Sequence, residues 1–171
     1  MKNIITILII AFFQTFMAMA GSLPGKEPHE SLVDKIILAL QKEDPELFIK
    51  TCVPDQKNFD KIIKAQSGVN PEIIKKTNPV EARDTIINGL KRNFISLINK
   101  GKEEGIKWSE IKHSWTGSQS TLMEEVYQLQ IPFHFTFNNK EYRIEIDYCT
   151  QLEKDPKIIL LGEFKWIGPN K

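Results

Sequence analysis

Between Val126 and Tyr148 the chain alternates apolar and polar residues with the two-residue period of a pleated strand. Tyr127, Leu129, Ile131, Phe133, Phe135 and Phe137 fall on one face of a first strand. After Asn138-Asn139-Lys140, Tyr142, Ile144, Ile146 and Tyr148 share one face of a second, with Arg143, Glu145, Asp147 and Cys149 on the other. A two-residue loop, Asn138-Asn139 or Asn139-Lys140, pairs odd positions with even ones and puts both apolar rows on the same face. Asn tolerates the positive φ that such a turn needs. The pattern predicts a hairpin with one apolar side and one wet side.

The same period extends to either side of the hairpin. Ile111, His113 and Trp115 alternate with Glu110, Lys112 and Ser114, and Gly117 to Thr121 is polar. After Asp155-Pro156, a last strand runs from Lys157 to Ile167 with Ile158, Leu160, Gly162, Phe164 and Trp166 on one side. Ile159 and Leu161 make its other side partly apolar, so both faces are expected to be covered where it begins. Pro132 cannot donate to a ladder, which predicts an edge or a bulge at its N–H position. Consecutive strands joined by short loops predict an antiparallel meander of about four strands.

Before Ile106 the period is helical. Ser31 is placed to cap a helix with a Leu32, Val33, Ile36, Ile37, Leu40 stripe. Asp44-Pro45-Glu46 stops it and starts another that carries Leu47, Phe48 and Cys52. Asp55 opens a third with Phe59, Ile62 and Ile63, and Asn70-Pro71-Glu72 repeats the cap signal. Asn78-Pro79 starts the longest helix, whose inner stripe is Ile86, Ile87, Leu90, Phe94, Leu97 and Ile98. Lys91, Arg92, Asn93 and Lys100 turn away, and Gly101 and Gly105 close it. Helices first and an amphipathic sheet afterwards predict one α+β domain, residues 21–171, with N-terminal helices packed on one face of a curved antiparallel sheet.

The first 20 residues change the compartment. Lys2, an apolar run from Ile4 to Phe13 and Ala18-Met19-Ala20 make a secretory signal peptide, with the mature chain periplasmic or secreted and without a stable membrane span. Of the 23 Lys and Arg, only Lys2 lies in the leader, so the remainder carries 22 basic against 22 acidic residues. That balance argues against nucleic acid or an anionic membrane as partner. Cys52 and Cys149 are the only cysteines; in an oxidising compartment they form one disulfide or remain two buried thiols. No ligand spacing supports a metal site, and no phosphate loop or nucleophile motif calls for a cofactor.

The opening segment from Leu32 to Phe48, a helix ending at an acidic residue followed by a second short helix, together with the long closing strands, resembles the NTF2-like or cystatin-like cone fold that includes SnoaL-like domains. That resemblance implies a pocket between curved sheet and helices. Strand parity sends Tyr127, Tyr142, Tyr148, His113, Trp115 and Trp166 toward it as candidate ligand contacts. Three functions follow. The first is a non-catalytic binding module for a small apolar molecule or a protein. The second is a pocket enzyme of isomerase or lyase type with His113 as general base. The third is an envelope interaction protein, including a homodimer, working through the outer sheet face around His134 and Arg143.

Overall fold

The computed structural model describes residues 27–66, 78–115, 118–123, 125–157 and 159–169. The expected leader and the Asn70-Pro71-Glu72 cap lie outside them. Four helices, α1 (Glu27–Lys42), α2 (Pro45–Cys52), α3 (Gln56–Gln66) and α4 (Pro79–Glu103), are followed by a 3-10 turn at Trp108–Glu110 and six strand segments. These are β1 (Lys112–Trp115), β2 (Gln119–Met123), β3 (Val126–Phe137), β4 (Lys140–Leu152), β5 (Ile159–Leu160) and β6 (Glu163–Pro169). The helices pack against a curled antiparallel sheet, the expected α+β class.

The six segments occupy four lanes. β1 and β2 both pair with β3, one along Phe133–Thr136 and the other along Val126–Gln130. β5 and β6 both pair with β4. Each outer lane is therefore one broken strand, and the expected four-strand meander survives with two interruptions. Pro132 stands in the gap between the stretches of β3 that β1 and β2 cover, where its missing N–H costs no ladder bond.

The hairpin closes through Asn138 and Asn139, with φ of 51° and 59°, and Phe137 faces Lys140. Two left-handed residues match the twist of the flanking strands. Ile131, Phe133, Phe135, Ile144 and Ile146 are all fully buried, so both apolar rows do share the inner face.

The helix starts obey local chemistry. Asp44 accepts from the Glu46 and Leu47 N–H groups at 2.9 and 3.0 Å, Asp55 from Asn58 N at 2.9 Å, and Asn78 from Val80 N at 3.0 Å. Two ends differ from expectation. α1 begins at Glu27, with Pro28 in its first turn, so Ser31 lies inside the helix and caps nothing. α4 runs through Gly101, and Gly105, at φ 78°, follows its end. Gly101 serves packing instead: a Cβ there would come within 2.2 Å of the Trp108 ring.

Apolar faces of α1, α2, α3 and α4 meet the inner face of the sheet in one continuous core. Phe48 sits against Phe94 and Phe164, with ring centroids 4.5 and 4.7 Å away, and ties α2, α4 and β6 together. Burying a ring of this size contributes about 2–3 kcal/mol. Where the last lane begins, Leu160 and Leu161 are both buried, so both faces are covered there as the sequence implied.

Candidate functional site

The sheet carries one departure from regular pairing that decides which residues face inward. Leu129 pairs with Cys149 but Ile131 pairs with Ile146, so Asp147 and Tyr148 together oppose Gln130. This is a β-bulge, with Tyr148 in the left-handed region at φ 63°. Asp147 and Tyr148 both project outward, and the alternation beyond them is inverted. Tyr148, expected inside, lies outside with the Lys165 ammonium 5.5 Å from its ring centre. Cys149, expected outside, is fully buried. Strand parity counted from the turn cannot survive an inserted residue. The bulge also needs Gly162 in the next lane, where a Cβ would meet Asp147 O at 2.2 Å and Tyr148 Cβ at 2.7 Å.

The other inward aromatics meet each other. Phe135 stacks on Tyr142 with centroids 5.3 Å apart and planes 12° from parallel. Trp166 lies 5.7 Å from Tyr142 and 6.2 Å from Trp108, which is itself 5.6 Å from Phe135. Trp108 donates from Nε1 to Ile98 O at 3.0 Å, and Trp166 from Nε1 to Glu104 Oε1 at 3.0 Å. Four rings from three strands and the 3-10 turn thus pack on one another where strand parity placed candidate ligand contacts, with the indole N–H groups of Trp108 and Trp166 both engaged. Trp108 carried no period signal because it precedes the first strand; its only sequence cue was a tryptophan beside the Gly101/Gly105 pair. Tyr127 is half-buried opposite Gln151 at the far end of the sheet. Trp115 pairs with Phe133 through its backbone, and its side chain lies outside the described residues.

His113 acquires a carboxylate partner from α1: its Nε2 is 2.8 Å from Asp34 Oδ1. The pair stands at the sheet margin with side chains 24 and 59 % exposed, so it joins strand to helix in a wet setting rather than poising a base in a dry one. Among the described residues, two shallow concavities stand out. One, of about 450 Å³, follows the outer side of α4 past Ile95 and Asn99. The other, of about 330 Å³, lies at the hairpin tip between Lys112 and Asn139. Neither is lined by His113, Tyr127, Tyr142, Tyr148 or Trp166.

Cys52 and Cys149 are free thiols, both fully buried. Burial pushes the Cys52 thiol well up, and Cys149 adds to the shift by its charge. Burial likewise raises Cys149, to about 12. His29, near the start of α1, is buried with Nδ1 3.0 Å from Ser118 Oγ, and its buried Nε2 has no well-formed hydrogen bond among the described residues. Burial lowers its pKa, against a smaller opposing influence from Gln151.

The outer face of the sheet is an ordered polar array. His134 stands opposite Arg143, as a turn at Asn138-Asn139 requires, and bonds diagonally to Glu141, Nδ1 to Oε1, at 3.0 Å. Arg143 pairs with Glu145 through Nη2. Asp147 takes Lys165 Nζ at 2.5 Å and Gln130 Nε2 at 2.9 Å. Acids and bases thus interleave across three lanes.

Among the described residues no group of three or more His, Cys, Asp or Glu is placed to hold a metal ion, and no helix is long and apolar enough to cross a membrane. No protein-family model matches this chain, and no curated protein or solved structure matches it either.

Proposed function

We propose that the mature chain is an exported, non-catalytic binding module of NTF2-like type, that its working surface is the outer face of the sheet, and that its partner is a protein. One observation carries this reading: Trp108, Phe135, Tyr142 and Trp166 spend their faces on one another, while the organised polar groups lie on the opposite side of the sheet. A site for a small apolar ligand needs open apolar wall. A docking face needs a broad, fixed surface with matched charge, and that surface is present.

The charge pattern favours a second copy of this chain as the occupant. Arg143 and Lys165 alternate with Glu141, Glu145 and Asp147, so the face has cations and anions in register to meet its own image across a two-fold axis. A leaderless chain of 22 basic and 22 acidic residues carries no net repulsion to oppose pairing. Native mass spectrometry of the protein purified from its own envelope tests the reading. The expected spectrum is a dimer that retains no small molecule; a monomer carrying a bound small molecule would overturn it in favour of a ligand site.

A further inference from the structure

We propose that Cys52 and Cys149, reduced thiols in this structure, are oxidised in the working protein to a disulfide that staples α2 to the central strand β4. The inference is independent of the docking surface.

The two thiols share a neighbour. Leu161, the residue after the one that pairs with Thr150, runs beside Cys149 and donates its N–H to the Cys52 carbonyl at 2.9 Å. Both side chains are wholly inside, and each belongs to the same apolar core. The Cys149 sulfur is held only by weak contacts: its Sγ is 3.6 Å from Ile146 O and 3.9 Å from Asp147 O, and it accepts from the Gly162 backbone N–H.

The bulge brings Cys149 to the same side as Cys52. Without the inserted residue at Asp147-Tyr148, Cys149 would project from the outer face, away from every helix. Turning it inward requires a tyrosine in a left-handed conformation and a glycine at position 162, both unfavourable or restrictive choices in a strand. A buried alanine or valine on an unbulged strand would fill the core as well. Together these features turn Cys149 into the core that holds Cys52, the only other cysteine of the chain.

The chemistry is ordinary thiol–disulfide exchange with a disulfide oxidant of the exported compartment. The first thiol loses its proton and its thiolate attacks one oxidant sulfur, expelling the other as a thiolate. The second cysteine, deprotonated in turn, attacks the mixed disulfide, so the S–S bond forms and the oxidant leaves fully reduced after taking two electrons. Burial holds both folded thiols protonated, which places the reaction during folding, before the core closes around the two cysteines.

The test is the intact mass of the leaderless chain refolded in equimolar reduced and oxidised glutathione, then unfolded in the presence of a thiol alkylating agent. The expected product takes up no label and is about two daltons lighter than the reduced chain, and gains two labels once reduced. Reduction should lower Tm by about 5–15 °C in the native protein, because the bond closes a loop of roughly 100 residues, and should leave Tm of C52A/C149A unchanged. Uptake of two labels without reductant would overturn the proposal whatever the Tm. Because refolding is done in a chosen buffer, a negative result does not depend on where the protein resides.

Discussion

The side-chain amide of Asn93 bonds both backbone groups of Phe164: Nδ2 donates to its carbonyl at 3.0 Å, and Oδ1 accepts from its N–H at 2.9 Å. One helix side chain thereby imitates a neighbouring strand along the free edge of β6. Open edges invite pairing with another chain, and covering them is a standard defence. Asn93→Leu leaves both groups of Phe164 without partners and should cost about 2–3 kcal/mol in urea unfolding. Asn93→Asp keeps an acceptor but loses the donor, and should fall between the two. Equal stability in all three proteins would show that the edge is satisfied some other way.

The bulge at Asp147-Tyr148 and the glycine behind it predict substitutions of very different cost. Gly162→Ala drives a methyl into Asp147 O and should destabilise by about 2–4 kcal/mol. Tyr148→Gly removes the left-handed penalty, about 1–2 kcal/mol, but gives up the ring beside Lys165 and should be close to neutral. Thermal unfolding of the two variants beside the parent decides. A tolerated G162A would mean that the bulge is not fixed by its neighbour.

His29 predicts how stability depends on pH. Its folded pKa lies below the ordinary value of 6.5, with burial the larger cause, so the unfolded chain binds a proton that the folded one resists. The sign follows: stability is unaffected by this group above pH 6.5 and declines as pH falls from there toward the folded pKa. The slope is at most about 1.4 kcal/mol per pH unit. His29→Gln should flatten that part of the curve, measured by urea unfolding at pH 7.5, 6.5 and 5.5. An unchanged slope would place the titrating group elsewhere.

His113 and Asp34 predict little. As an exposed pair at the sheet margin they should be worth under about 1 kcal/mol, so His113→Ala should barely move Tm. A large loss would mean that the pair fixes the seat of α1.

Much of this architecture was legible because each element states its own period. The helix starts at Asp44 and Asn78, the two-residue turn at Asn138-Asn139 and the single inner face of the hairpin all follow from local rules. Four features did not follow, each for a physical reason. The bulge is a relation between β3 and β4, so nothing in β4 alone marks the inversion that exchanges Tyr148 and Cys149. Asn93 looks like a solvent residue on a helical wheel, and only the nearness of β6 gives its amide two partners. Gly101 reads as a helix stop until Trp108 is seen to lie on it. The pocket was implied by the fold resemblance, and parity alone cannot tell rings that line a cavity from rings that close on each other, as Phe135, Tyr142 and Trp166 do with Trp108.

The outer sheet face is the proposed place where this chain meets a protein, first a second copy of itself. Sedimentation equilibrium of the leaderless chain between about 1 and 100 µM tests that most directly, beside R143A/K165A, which removes both cations of the array and leaves Asp147 its bond from Gln130. A dimer in the parent and a monomer of unchanged helix and strand content in the variant is the predicted result. A monomer throughout the range, or a dimer that the double substitution leaves intact, would contradict it.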